Sequence, residues 1–175
     1  MSTFKIDASH SEVSFKIKHL MITNVTGHFN KFEGTMESDK EDFSDAKINF
    51  EADIDSIDTK APDRDAHLKS DDFFKADEFP KLTFVSTDFK KVDGEEYLLT
   101  GDLTLRGVTK PVDLKVEYGG TVTDPWGNLR AGFEINGKIS RGEFGLKWGG
   151  LTEAGGVVLG DDVKLHINIE MVKQA

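Results

Sequence analysis

The 175-residue sequence predicts an all-β protein, an extended antiparallel β-barrel of about eight strands with one or two short helices between residues 60 and 76. Three observations carry that prediction. Strict alternation of apolar and polar residues runs through Ala46-Lys47-Ile48-Asn49-Phe50-Glu51-Ala52-Asp53-Ile54, through Val163-Lys164-Leu165-His166-Ile167-Asn168-Ile169-Glu170-Met171, and through Val13, Phe15 and Ile17 with Ser14, Lys16 and Lys18 between them. Such strands have one dry and one wet face. Turn chemistry then recurs at hairpin spacing, in Asp93-Gly94, Arg106-Gly107, Gly119-Gly120 and Asp124-Pro125-Trp126-Gly127-Asn128. Finally, only the stretch 59–75 breaks the strand rhythm decisively.

In chain order the alternation places strands at 3–7, 12–22, 27–36, 45–55, 81–90, 96–105, 111–122, 130–141 and 162–172. Ser9-His10-Ser11 bends the chain between the first two, which makes His10 a structural turn contact. Pro62 suits a first helical turn, Asp63 and Asp65 suit its positive end, and Phe79-Pro80 returns the chain to a strand. The glycine-rich run 149–156 reads as a loop. No linker or internal repeat divides the chain, so one domain is expected over 1–175.

Thirty-two acidic against 22 basic residues give a formal charge of −10, which opposes nucleic acid and anionic membrane surfaces unless the basic residues cluster. The absence of cysteine removes disulfides, thiolate catalysis and cysteine zinc sites together. Residues 1–7 enter an alternating pattern at once, with no basic and apolar leader, and no stretch approaches the ~18 apolar residues of a spanning helix. A cytoplasmic protein without stable membrane insertion, monomeric or homodimeric, is therefore expected.

If the dry faces close into a barrel, strand parity turns Phe15, Ile17 and His19 inward, with Ile48, Phe50 and Ala52, then Leu103 and Leu105, then Phe133, Ile135 and Ile139, and finally Leu165 and Ile167. Ala52, Gly101 and Gly137 are small interruptions in this bulky lining and could leave room for a ligand. Strands of ten residues run ~33 Å, so the cavity would be long and narrow, suited to a hydrocarbon chain. Inward apolar residues also simply fill cores, and the pattern alone leaves both readings open.

His19 continues an inward parity, and a buried imidazole needs a partner, either a ligand head group or a neighbouring strand. Arg64, His67, Arg141 and Phe144 fall at the expected tunnel mouth. The two guanidinium groups either hold an acidic head or tie local elements to the wall. His28 and His166 fall on wet or ambiguous faces.

Catalytic constellations are not found. The run 132–139 nearly spells a phosphate-binding loop, but Ile139 stands where Ser or Thr is required and the pattern is a strand. No nucleophile elbow, zinc-binding helix or dinucleotide fingerprint occurs, and the five histidines are too dispersed for a metal set. Asn24-Val25-Thr26 matches a glycosylation acceptor, which has meaning only after secretion. Two rival readings remain: an enzyme acting on a lipid, with His19 or His67 as general base, and a stress-related scaffold with a filled core.

Several segments in fixed order then resemble one family. They are Ile6-Asp7-Ala8-Ser9-His10-Ser11 with Val13, Phe15 and His19; Val25-Thr26-Gly27-His28-Phe29; Ser56-Ile57-Asp58-Thr59 leading to Arg64-Asp65-Ala66-His67-Leu68-Lys69-Ser70 and Asp72-Phe73-Phe74; Phe79-Pro80-Lys81-Leu82-Thr83-Phe84; the run 101–112; and Ser140-Arg141-Gly142-Glu143-Phe144-Gly145. Over nearly its whole length the chain resembles the YceI-like proteins, also called base-induced periplasmic or polyisoprenoid-binding proteins, whose fold is a lipocalin-like barrel. The resemblance implies a carrier for a long-chain amphiphile such as a polyisoprenoid or isoprenoid quinone-like lipid, with no catalytic residues and no cofactor beyond that bound lipid. Many members carry a secretory signal, which this chain is not expected to have. The Gly-x-Trp of lipocalins proper is also absent near the first strand.

Overall fold

A computed structural model describes residues 1–147 and 159–175, so the glycine-rich run at 149–156 lies outside the described residues. Among the described residues the strands are β1 (Ser2–Ile6), β2 (Glu12–His19), β3 (Thr23–Phe29), β4 (Phe32–Ser38), β5 (Lys47–Asp53), β6 (Ile57–Asp58), β7 (Lys81–Asp93), β8 (Glu96–Leu105), β9 (Val108–Thr123), β10 (Leu129–Ser140) and β11 (Leu159–Lys173), with one α-helix, α1 (Pro62–Leu68). Every pairing is antiparallel, and the sequence β1-β4-β5-β7-β8-β9-β10-β11 returns to β1, closing a barrel of eight strands.

Three of those staves are broken in mid-course. β1 and β2 lie end to end along β11, with Ile6 opposite Met171 and Glu12 opposite Asn168, and a 3-10 turn at Ala8–His10 separates them. The expected strand at 27–36 is likewise two, β3 and β4, interrupted at Asn30-Lys31. β5 stops at a second 3-10 turn, Ile54–Ser56, before the two-residue β6. Beyond the breaks only β2, β3 and β6 continue, and β6 pairs with β3 but not with β7. Residues 59–80, including α1, lie against this part of the wall, where Phe74 packs on Phe29 of β3 and Leu68, Phe73 and Phe74 face the interior.

The expected strand 12–22 ends at His19, because Leu20 and Met21 take left-handed φ angles of 51° and 63°. Neither residue type signals such a turn. At the opposite end of the barrel, Phe43 packs edge-on against Phe4, Tyr118 and Phe133 at centroid distances of 5.3, 5.6 and 5.8 Å. Tyr97 stacks on Phe89 at 4.7 Å and donates its hydroxyl to the Asp42 carbonyl at 2.5 Å. Five of these rings are sealed, and the end they occupy is plugged by side chains.

Candidate ligand cavity

The plugged end leaves the interior free toward the other. A cavity of about 390 Å³ lies between the plug and the mouth formed by α1, the β2–β3 turn and the 3-10 turn Arg141–Phe144. Its size falls within the range of small-molecule sites. Phe15, Ile17 and His19 of β2, Ile48 and Phe50 of β5, Leu103 and Leu105 of β8, Phe133, Ile135 and Ile139 of β10, and Leu165 and Ile167 of β11 all line it. Arg64, His67 and Arg141 line it too.

Two expected residues do not. Ala52 is completely buried between Phe32 and Leu82 on the neighbouring strands, and Phe144 is 1 % exposed within the core, so neither side chain reaches the open space. The glycines do not supply the room either. A Cβ on Gly101 would collide with the ring of Phe84, and one on Gly137 with the side chain of Leu114, so large neighbours already fill both notches. The space arises instead where the staves are broken. Phe15, Ile17, Val25, Ile135, Val163, Leu165 and Ile167 remain only partly buried there, whereas Met36, Phe89, Tyr97 and Leu99 nearer the plug are sealed.

Sequence reasoning missed Val25, Leu68, Phe73, Phe74, Leu146 and Leu159 as lining residues. Val25 was hidden because it precedes the expected strand start, and Leu159 because β11 begins three residues earlier than the alternation. The paired aromatics Phe73-Phe74 in an otherwise polar segment were the available signal for an apolar underside.

Polar groups gather at the mouth. Arg141 is 8 % exposed and donates from Nη1 to the Leu146 carbonyl at 2.7 Å and from Nε to the Gly160 carbonyl at 2.8 Å. Nη2 reaches the Leu159 carbonyl at 3.4 Å. These β11 carbonyls sit where the ladder to β2 shifts register between Leu159 and Val163, so the guanidinium satisfies backbone at a bulge. Burial pulls its pKa below the usual arginine value, and the Asp161 charge opposes that pull.

Thr59 is 3 % exposed and organises α1. Its hydroxyl donates to Asp65 Oδ1 at 2.5 Å and accepts from Arg64 Nε at 2.8 Å, while Arg64 Nη2 donates to the Thr59 carbonyl at 2.6 Å. Arg64 therefore anchors the helix, although it borders the cavity. His67 Nε2 lies 2.8 Å from Asp72 Oδ2 and meets the ring of Phe73 edge-on. His19, by contrast, makes no side-chain hydrogen bond among the described residues, so no neighbouring strand supplies the partner its inward parity called for.

The remaining histidines serve the surface. His10 Nδ1 is 2.9 Å from Asp7 Oδ2, His28 Nε2 is 2.7 Å from Glu12, and His166 Nδ1 is 2.8 Å from Asn136. Asp7, His10 and Glu170 converge closely enough to suggest a metal, but Arg130 Nη1 stands 2.8 Å from both carboxylates and already supplies the positive charge. That group is a clamp between β1, β10 and β11.

The YceI-like domain model matches residues 4–171. The chain belongs to the YceI family. It is 42 % identical to Protein YceI of Escherichia coli O157:H7 over 173 residues, covering 98 % of this chain and 87 % of that one. Among solved structures, the YceI protein of Campylobacter jejuni superposes with a TM-score of 0.77 at 36 % identity, over 97 % of this chain and 96 % of its own. A polyisoprenoid binding domain from Saccharophagus degradans shares the fold, with a TM-score of 0.70 at 15 % identity and 98 % coverage of both chains. The lipocalin-like YceI barrel expected from the sequence is thus the observed one.

Proposed function

We propose that this YceI-family chain binds, sequesters or carries a long-chain amphiphile, a polyisoprenoid or isoprenoid quinone-like lipid, without acting on it chemically. The observation that carries the reading is the cavity itself: about 390 Å³, walled by Phe, Leu, Ile and Val, plugged at one end by aromatic rings and bordered at the other by Arg141, His19 and Thr59. Each methylene transferred from water into such a wall contributes ~0.8 kcal/mol, so the chain dominates affinity and the mouth selects the head. The polyisoprenoid binding domain of Saccharophagus degradans has the same fold, which supports a lipid of that class as the ligand. The binding role also accords with the hydrogen bonds at the mouth. Thr59, Arg64 and Asp65 hold one another, and Arg141 holds backbone carbonyls, an arrangement that fixes structure rather than activating a nucleophile.

Native mass spectrometry of freshly purified protein, followed by organic extraction, tests the proposal. A retained lipid of isoprenoid mass is expected. Protein of bare mass that also fails to take up farnesol or a short quinone on incubation would sink it, and turnover of such a lipid would replace it with an enzymatic role.

A further inference from the structure

The chain joining β2 to β3 is Leu20-Met21-Ile22, three apolar residues at the tip of a hairpin. Ile22 N–H donates to the His19 carbonyl at 3.1 Å, and the turn is made by two consecutive non-glycine residues with φ of 51° and 63°. Left-handed backbone is costly for Leu and Met, and tight hairpins ordinarily place Asn-Gly there. The strained turn nevertheless holds its side chains in solvent, at 40 % exposure for Leu20, 62 % for Met21 and 77 % for Ile22. Met21 and Ile22 gain little packing at those exposures, and strain kept without it points to an external contact. The flanking residues His19 and Val25, and Leu159 opposite His19, all line the cavity, so the tip stands on its rim.

Charge supplies a second observation. On the outer wall below this tip, Lys16 of β2 faces Lys164 of β11, which faces Lys138 of β10, three exposed lysines in one cross-strand row, and Lys18 lies one pleat nearer the tip. Like charges directly opposed across a ladder are destabilising. Lys138 has Asp162 at 3.6 Å, while Lys16, Lys18 and Lys164 have no ion-pair partner among the described residues. Of the other carboxylates at this end, Asp161 accepts from the Gly142 N–H at 2.9 Å and from the Ser140 hydroxyl, while Glu143 of the 3-10 turn and Asp63 of α1 are exposed. The lysines thus cluster on the β2–β11–β10 side of the mouth, in a chain whose net charge is −10.

We infer that the Leu20-Met21-Ile22 turn inserts into the surface of an anionic phospholipid bilayer, with Lys16, Lys18, Lys138 and Lys164 set against the headgroups, so that the barrel docks mouth first. An apolar tip rimmed by lysines is the combination that holds a protein reversibly at such an interface. Docking in this orientation would let an amphiphile pass between bilayer and cavity without crossing water. That consequence rests on the ligand reading above, whereas the docking itself does not.

Flotation of the full chain with vesicles of phosphatidylglycerol and phosphatidylcholine, and with phosphatidylcholine alone, reads docking directly and needs no cargo. Binding to the anionic vesicles is expected, falling with salt. Leu20→Asn/Met21→Gly, which suits the left-handed turn and preserves the hairpin, should weaken it by ~10-fold or more. Lys16→Gln and Lys164→Gln should each weaken it by about fivefold, the equivalent of the roughly 1 kcal/mol a basic residue gains at an anionic surface. Trp126→Ser, at an 81 % exposed position near the plugged end, should change nothing. Equal flotation of the turn variant and the parent, or loss only in the Trp126 variant, would overturn the inference. So would a parent that ignores vesicles but self-associates in the ultracentrifuge through the turn, because a second copy would then be what covers the tip. A chain that floats as expected yet retains no lipid would leave docking standing and remove the cargo.

Discussion

Replacing Ile167 by Asn separates a cavity wall from an ordinary core. Ile167 lies in the middle of β11 between Val13 of β2 and Ile135 of β10, faces the cavity and is only partly buried. Were its side chain packed against the opposite wall, the substitution would remove hydrocarbon contact and strand a primary amide, a loss of about 3–5 kcal/mol from the folded state. In a cavity of about 390 Å³, water reaches the amide, and the ligand-free protein should lose only ~1 kcal/mol, the scale of a strand-propensity change. With an isoprenoid bound the order reverses. If the lipid covers about half of the side chain, two carbons' worth of burial at ~0.8 kcal/mol each is lost, and the amide left against hydrocarbon adds ~1–3 kcal/mol. The sum of about 2.6–4.6 kcal/mol weakens retention by ~10²-fold to somewhat over 10³-fold. Urea unfolding of the ligand-free protein measures the first quantity and titration with a fluorescent farnesyl analogue the second. A variant that loses several kcal/mol of stability while keeping its affinity would refute the reasoning.

Other expectations follow from the same geometry. Phe43→Ala removes a 4 % exposed ring with three aromatic partners, which should cost about 3–5 kcal/mol and lower the urea midpoint by at least ~1 M; an unchanged midpoint would show that the plug is not packed. Arg130 holds Asp124 down to about 2 and, with the Ser9 and His10 side chains, holds Asp7 well below the usual 3.8. Depressed folded-state values stabilise above pH 3.8 and lose that contribution as pH falls toward about 2, so melting temperature should drop across this window, and Arg130→Met should lower it at neutral pH while flattening the acid slope. Identical acid slopes in the two proteins would count against the clamp. Thr59→Val deletes the hydroxyl shared by Arg64 and Asp65, and amide exchange over 62–68 should accelerate by ~10-fold with β8 and β9 unaffected. Uniform acceleration throughout the chain would mean a global rather than a local loss.

The inward set was legible wherever a strand is regular, because period-two alternation is a direct image of two-sided burial: Ile48 and Phe50, Leu103 and Leu105, and Leu165 and Ile167 all face the cavity as parity requires. What alternation cannot express is interruption. Leu20 and Met21 carry no turn signal, so the expected strand ran through them. The break at Asn30-Lys31 passed unseen because the residues on either side keep strand-forming patterns. The plug was illegible for a related reason: Phe43 sits in a loop at a positive φ of 60°, where nothing in the sequence ties it to Tyr118 or Phe133. Small residues misled, since the volume spared by Gly101 and Gly137 is taken up by Phe84 and Leu114, long side chains whose lean is fixed only in three dimensions. Arg141 was correctly turned inward, but its bonds to Gly160 and Leu159 depend on a register shift that parity does not encode.

The interruptions are also what gives the barrel a direction. All three broken staves carry their breaks on the same side of the molecule, and there the wall loses the β5–β7 pairing and is covered by α1 instead. A seven-residue helix has little stability of its own, so its position depends on tertiary ties. Those ties include the Thr59, Arg64 and Asp65 bonds, the Arg106 Nη1 bond to the Phe73 carbonyl at 2.8 Å, the Phe74 ring against Phe29 of β3, and the apolar underside of Leu68, Phe73 and Phe74. Opening the plugged end would instead disrupt sealed aromatic packing against five barrel strands. The mouth is therefore the end at which the interior is already open. On the proposed reading an amphiphile enters there chain first, runs toward Phe133, and leaves its head beside Arg141 and His19.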